Sequence, residues 1–324
     1  MTRSQVRDLI VEEFNVNHIF ATSVATRIDR RIRKYEEIKS FFVDFCKNKP
    51  KPFVKWVGGK RQLLEQFKAL GLYPPRNFDA ENATYFEPFV GGGAVFFDLL
   101  PKNAVLSDWN EELVTTYNVI KDDVDNLIES LKNHKNEKEY FLSMRAKDLN
   151  ELSDVEIASR FIYLNRTCFN GMYRVNKSGG FNVPFGKQKK PLICDEDNLR
   201  KVSAILENVS ISKRDYKDVL NEAKKGDFVY FDPPYYPLNR TSNFTSYTAD
   251  GFLEKEQEEL RDTYFKLHKR GCFVMLSNSN TEFIRNIYSG LDKKIKINEV
   301  SASRMINSVA SKRGKIKEVL VVNY

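Results

Sequence analysis

Sulfur and imidazole ligands are scarce in this 324-residue chain. Its four cysteines, Cys46, Cys168, Cys194 and Cys272, lie far apart with no CxxC pair, and the three histidines are equally dispersed. Such spacing points to neither a zinc or other metal site nor a disulfide framework, and a reducing cytoplasm is the expected setting. No run approaches the ~20 consecutive apolar residues that a membrane helix requires. Met1 to Arg7 lacks the apolar stretch of a secretory signal, so membrane and secreted classes are not expected. The dinucleotide fingerprint GxGxxG and the phosphate loop GxxxxGK[ST] are also absent, which weighs against dehydrogenase and nucleoside-triphosphate chemistry.

What is present is basic. Fifty-two Lys and Arg against 44 Asp and Glu leave a formal net charge of +8, an excess suited to a phosphate-rich partner. The hydrophobic fraction of 41% is enough for a packed core. Residues 1–50 differ from the rest. Val6, Leu9, Ile10 and Phe14 recur at helical spacing, as do Ile28, Ile32, Tyr35, Ile38, Phe42 and Phe45. The pattern predicts a helical extension of two amphipathic helices, the second with a basic start at Arg27–Lys34. A helix packed on the main domain and a helix that touches DNA or a second copy both fit it.

From Lys51 onward, short apolar runs alternate with amphipathic ones. Tyr85–Phe86, Ala104–Ser107, Val209–Ser212, Phe228–Phe231 and Phe273–Leu276 read as strands; Glu111–Ile120 and Glu254–Arg270 read as helices. Strands separated by helices predict an α/β fold, a mainly parallel sheet with helices on both faces. Lys294–Val300 and Glu318–Tyr324 have no helix between them and predict an antiparallel hairpin at the sheet edge. That makes seven strands. Residues 122–206 interrupt the alternation: they read as mostly helical, with a capping box at Ser153 and Glu156. Within them, Cys168–Cys194 carries Arg174, Lys177, Lys187, Lys189 and Lys190 and no acidic residue. The expected division is a 1–50 extension, a main domain formed by 51–121 and 207–324, and an inserted domain at 122–206.

Three segments carry chemistry. Glu87-Pro88-Phe89-Val90-Gly91-Gly92-Gly93 follows a strand and precedes a helical run, and glycines at such a turn let a ligand approach the backbone closely. Asp108, at the end of the next strand, stands where an acid accepts hydrogen bonds from ribose hydroxyls. A cofactor with a nucleoside but no pyrophosphate fits this pair. The most specific segment is Asp232-Pro233-Pro234-Tyr235, directly after an apolar strand. Its prolines fix the backbone and remove donors, Asp232 is an acceptor, and Tyr235 offers a flat face. Two acceptors beside an aromatic face can hold an exocyclic amino group by both protons and stabilise positive charge that develops on its nitrogen during attack on a methyl donor. Lys55-Trp56-Val57-Gly58-Gly59-Lys60 is a further cation–aromatic–glycine turn before a helix.

Taken together and in this order, these segments resemble the Dam-type DNA adenine-N6 methyltransferases (D12 class, alpha group). Asn165–Arg174 and Phe181–Gly186 add to the likeness, since they look like the recognition hairpin of members that methylate GATC. The resemblance covers Lys51 to the C-terminus. It implies a seven-stranded Rossmann-like S-adenosylmethionine methyltransferase sheet with an inserted, mainly helical DNA-recognition domain. S-adenosylmethionine would bind at Glu87, Phe89, Gly91 and Gly93, with Asp108 on its ribose, Trp56, Lys60 and Asp232 in the same pocket, and Asp215 near its adenine. Asp232, Pro233, Pro234 and Tyr235 would grip an adenine swung out of double-stranded DNA. Phe169, Asn170, Met172, Arg174 and Pro184 would read or wedge bases, and the loop Asn239–Phe252, with Asn239, Phe244 and Tyr247, would close over the substrate. Independently of the resemblance, Arg174 suits a bidentate contact with guanine and Asn170 one with adenine. Lys187, Lys189, Lys190, Arg304, Lys312, Arg313 and Lys315 suit phosphates. No Pro-Cys dipeptide supplies the nucleophile of a cytosine-C5 enzyme. The alternatives are a cytosine-N4 methyltransferase, whose tetrapeptide more often starts with serine, and a catalytically silent DNA-binding regulator. A monomer or weak dimer is expected. Two departures from the family pattern are the 1–50 extension and Gln188, which stands where related enzymes often carry an aromatic residue.

Overall fold

The computed structural model describes residues 3–14, 21, 25, 36–39, 49–176, 179–238, 252–303 and 315–324. Among the described residues, seven strands form one mixed sheet: β1 (Thr84–Glu87), β2 (Asn103–Asp108), β3 (Ser210–Lys213), β4 (Phe228–Phe231), β5 (Phe273–Ser279), β6 (Lys296–Ser303) and β7 (Lys315–Val322). Their order is β3-β2-β1-β4-β5-β7-β6. β1 to β5 pair in parallel, and β7 runs antiparallel to both β5 and β6. The seven strands and the terminal antiparallel pair agree with the sequence pattern. The final strand, however, is internal and β6 takes the edge. Val319, Leu320, Val321 and Val322 are all fully buried, and a run apolar on both faces belongs inside a sheet. β4, PheValTyrPhe, is likewise buried at every position and forms the centre, with Phe228 against Tyr85 and Phe78.

Between β2 and β3 the chain runs through helices Glu111–Asp122, Val124–Lys132, Lys138–Ala146, Asp154–Thr167 and Glu196–Leu206. The helix Asp154–Thr167 begins with the capping box expected from its sequence: Ser153 Oγ accepts from the Glu156 amide at 3.4 Å, and the Ser153 amide donates to Glu156 Oε2 at 3.0 Å. This helix serves two cores. Ala158, Phe161 and Ile162 join the cluster on the sheet, whereas Tyr163 and Leu164 pack with Phe141, Met144, Cys168, Phe181 and Val183 in a smaller one. Residues 122–206 therefore share a core with the sheet and also carry one of their own.

Arg160 ties these parts together. It is 3% exposed and pairs with Glu112 Oε2 at 2.7 Å, while it donates to the Met144 and Arg145 carbonyls that end the helix Lys138–Ala146. At the N-terminus, the helix Arg3–Phe14 buries Val6 and Ile10, as their spacing predicts. Of the second predicted helix, 36–39 is helical and buries Ile38; its other residues lie outside the described ones. No helix among the described residues is long and apolar enough to cross a membrane.

Arg160→Ala leaves the Glu112 carboxyl buried beside an empty space and should lower the unfolding free energy by about 3–5 kcal/mol. Arg200→Ala, which removes the exposed pair with Asp125, should cost less than about 1 kcal/mol. Urea unfolding of the two variants checks the contrast.

Candidate active site

In the strand order, β2 lies on one side of β1 and β4 on the other. The carboxyl ends of these strands flank the crevice where doubly wound sheets bind ligands. Glu87 ends β1, Asp108 ends β2, and Asp232 follows β4.

Past β1 the chain turns through Val90–Gly93 into the helix Ala94–Leu99. Gly91 (φ 46°) and Gly93 (φ 68°) have backbones that side chains disfavour. A Cβ on Gly91 would come within 2.6 Å of the Trp56 ring, and one on Gly93 within 2.7 Å of the Tyr117 hydroxyl. Trp56 thus lies directly on the turn, and Tyr117 donates to the Gly91 carbonyl at 3.1 Å. Half-buried Asp108 faces the same turn: its two oxygens accept from the Gly91 and Asn110 amides, each at 3.0 Å. A carboxylate oxygen has two acceptor positions, so the carboxylate keeps acceptor capacity for a ligand hydroxyl. Burial pushes the Asp108 carboxyl above its ordinary range, against the pull of those amides. Beside it, Trp109 is 60% exposed, with Lys213 Nζ 5.7 Å from its ring centre.

Glu87 lies behind the turn. It is 2% exposed, and its Oε2 accepts from the Tyr85 hydroxyl at 2.8 Å and from the Phe96 amide at 3.1 Å. Burial pushes its carboxyl up to about 8, with the Tyr85 bond opposing and the Asp232 charge adding to the rise. Phe89 stacks on Tyr216 at 5.4 Å and meets Phe252 edge-on at 5.9 Å. Asp215, exposed just before Tyr216, accepts from the Lys217 amide at 2.9 Å.

The segment after β4 meets the segment before the first sheet-side helix. Lys60, 3% exposed, places Nζ 2.8 Å from Asp232 Oδ1, 2.6 Å from the Gly58 carbonyl and 4.8 Å from the Tyr235 ring centre. Burial pushes the Asp232 carboxyl up to about 6, while Lys60 draws it back toward ionisation. The Tyr235 hydroxyl donates to Glu318 Oε2 at 2.8 Å. Two buried amide side chains hold the backbone of this segment. Gln257 Nε2 donates to the Pro234 carbonyl at 3.0 Å, and Asn278 Oδ1 accepts from the Tyr236 amide at 3.2 Å. Asn278 also donates to Gln257, and Ser279 Oγ to the Tyr236 carbonyl. Pro233 itself is buried.

The basic hairpin lies against this site through Trp56 and Lys55. Tyr173 stacks on Trp56 at 5.6 Å and donates to Glu112. Asn165 bonds both the amide and the carbonyl of Lys55 at 2.8 Å, and donates to the Gly171 carbonyl. Bridges Cys168–Phe185 and Val175–Phe181 define the hairpin. Phe169 is 51% exposed, and Asn170, Arg174, Pro184, Lys187, Lys189 and Lys190 are exposed around it, with Met172 half-buried beneath. Asn170 and Lys187 have positive φ, 57° and 54°. Arg174 Nε donates to Asn182 Oδ1 at 2.6 Å. Lys177, Asn239, Phe244, Tyr247, Arg304, Lys312 and Arg313 lie outside the described residues, as does the Lys315 side chain.

The structure thus brings Trp56, Lys60, Gly91, Gly93 and Asp108 to one crevice with Asp232 and Tyr235. Glu318, Gln257, Asn278, Ser279 and Tyr117 carry no mark in the sequence reading, and Asn165 and Tyr173 enter it only as part of the recognition hairpin, without their contacts to Lys55 and Trp56. Ser277-Asn278-Ser279-Asn280, a polar tail on an apolar strand, was the one visible signal among them. Gly91→Ala should push Trp56 off the turn, cost about 1–3 kcal/mol of stability and shift the tryptophan emission; an unchanged spectrum and melting midpoint would contradict this packing.

With this geometry in hand, comparisons with known proteins give a consistent answer. The model of the D12 class N6 adenine-specific DNA methyltransferases matches residues 56–306. The chain is 44% identical over 282 residues to the type II methyltransferase M1.LlaDCHI of Lactococcus lactis subsp. cremoris, covering 85% of this chain and 95% of that one. It is 45% identical over 292 residues to the type II methyltransferase M.MjaIII of Methanocaldococcus jannaschii, covering 85% and 99%. A DNA adenine methylase of Vibrio cholerae serotype O1 is 36% identical over 280 residues, covering 85% and 96%. The matched segment runs through the glycine turn, Asp108 and the Asp232–Tyr235 tetrapeptide, and the chain belongs to the D12 class of N6 adenine-specific DNA methyltransferases.

Proposed function

We propose that this enzyme moves a methyl group from S-adenosylmethionine to N6 of an adenine swung out of duplex DNA, within GATC or a related GA-containing site. The observation that carries this reading is the Lys60–Asp232–Tyr235 cluster at the end of β4, beside the glycine turn at the end of β1. The residues present fit the cofactor: Asp108 keeps acceptor capacity for a ribose hydroxyl, and Gly91 and Gly93 admit a ligand against the backbone. Trp56, Lys60, Phe89 and Asp215 complete that pocket, with Glu87 bracing it from behind. When bound, S-adenosylmethionine supplies an electrophilic methyl group.

This chain's own residues then act on the base. An aromatic amine is a poor nucleophile because its lone pair is delocalised into the ring. Asp232 and the Pro233 carbonyl accept from the two N6 hydrogens, favour a more pyramidal nitrogen and stabilise the positive charge that grows on it. The base stacks on Tyr235, and the Pro233–Pro234 pair keeps the acceptors fixed. Residues 122–206 serve as the recognition domain within a catalytic domain of 51–121 and 207–324, preceded by the 1–50 extension. Arg174, held by Asn182, presents its fork to guanine, while Asn170, Met172 and Pro184 face bases and Phe169 fills the vacated stack. Lys187 and Lys189 meet phosphates, and Asn239 and Tyr247 belong to the loop over the substrate.

Transfer of labelled methyl to short duplexes tests this reading. A GATC duplex should be labelled as N6-methyladenine, and duplexes with single-base changes much less. Label on another adenine-containing site would keep the chemistry and refute the hairpin assignment; no label on any DNA would refute both. Asp232→Ala should abolish transfer while duplex affinity is retained. Arg174→Ala should relax base choice at one position by ~1–3 kcal/mol; an equal loss on every sequence would instead assign Arg174 to the backbone.

A further inference from the structure

Whatever stacks on Tyr235 is aligned only as well as the Tyr235 ring itself. The tetrapeptide backbone is fixed by Gln257 and Asn278, and Lys60 stands over the ring. Backbone anchoring leaves the side-chain torsions among several wells, and Lys60 meets only the face of the ring. The far end is held by a hydrogen bond: the hydroxyl donates to Glu318 Oε2 at 2.8 Å, which fixes the direction in which the ring points. Glu318 is well placed to act as an anchor. Its backbone pairs with Ser279 of β5 on one side and Val300 of β6 on the other. The buried Val319–Val322 run follows directly. It comes from the opposite end of the chain's catalytic half and lies past residue 306, where the family match stops.

We propose that Glu318 is a positioning residue for methyl transfer: it holds the hydroxyl end of the Tyr235 ring and so the pose of the target base. This rests on the reading that the base stacks on Tyr235.

Four variants of the full chain test it: Glu318→Ala, Glu318→Gln, Tyr235→Phe, and the Glu318→Ala/Tyr235→Phe double. Each is assayed at pH 8, where Asp232 is ionised with or without the Glu318 charge, for single-turnover methylation of the duplex that the wild-type enzyme methylates fastest. A parallel duplex carries 2-aminopurine in place of the target adenine, and its fluorescence reports the unstacked, captured base. Glu318→Ala should slow transfer about tenfold or more, with duplex KM, cofactor affinity and melting midpoint near wild type. Tyr235→Phe should match it, the double should be no slower than either, and 2-aminopurine emission should change alike in all three. Glu318→Gln, which keeps an acceptor oxygen, should recover most of the rate. Transfer by Glu318→Ala within about twofold of wild type would overturn the proposal, as would losses that multiply in the double variant. So would a slow rate that merely tracks a fallen melting midpoint. A wild-type enzyme that leaves 2-aminopurine fluorescence unchanged would sink the stacking reading itself and this proposal with it. Normal wild-type fluorescence with an indifferent Glu318→Ala would sink the proposal alone.

Discussion

Lys60 carries an ammonium group to a place where water scarcely reaches it, and three separate groups meet it there: a carboxylate, a carbonyl and an aromatic face. A buried cation demands such partners, because an unpaired one costs several kcal/mol. Lys60 also sits at the start of the helix Arg61–Ala69, where the helix dipole disfavours positive charge, so the demand on Asp232 is greater still. The carboxylate has the opposite problem. Burial pushes it toward protonation, and Lys60 is the main force that keeps it an acceptor. Each charge makes the other tolerable, and together they hold two segments, 172 residues apart in sequence (232 − 60), in one crevice.

The remainder of the site can be understood as support for that pair. Asn165 clamps both sides of Lys55, Trp56 lies across the glycines, and Tyr173 lies across Trp56. The turn that ends in Lys60 is therefore fixed by the hairpin region on one side and by the sheet on the other. On the Asp232 side, Gln257, Asn278 and Ser279 occupy the backbone groups of residues 234 and 236. Polar side chains this deeply buried are tolerated because each one has partners, and they restrict the tetrapeptide to one conformation.

The parts legible in the sequence were those whose cause is local. The all-apolar run Phe228–Phe231 announces a strand, alternation announces the terminal hairpin, and Ser153 with Glu156 announces a helix start; all three appear as read. The strand order was legible only in part: the apolar run Val319–Val322 marks β7 as internal, but nothing local says that its neighbours are β5 and β6. The same holds for the site. Glycine and proline clusters, whose backbone demands are intrinsic, marked Gly91, Gly93 and Asp232–Tyr235. Glu318, Asn165 and Gln257 matter only through partners 83, 110 and 23 residues away, and no spacing rule reveals such pairings. Glu87 shows the converse: its place in the glycine segment was plain, but its burial behind the turn was not.

The central claim is that Asp232 acts as an ionised acceptor held in that state by Lys60. It is tested most directly by the pH dependence of kcat/KM for methyl transfer, measured with cofactor and duplex both below their KM so that it reports the free enzyme. With the carboxyl raised to about 6, the acceptor form is lost as pH falls, so kcat/KM should be flat above that value and drop about tenfold per pH unit below it. In Lys60→Met the cation that favours the carboxylate is gone, and the drop should begin at higher pH. A kcat/KM independent of pH from about 5 to 8 in the wild-type enzyme, or a limb that does not move in Lys60→Met, would contradict the account.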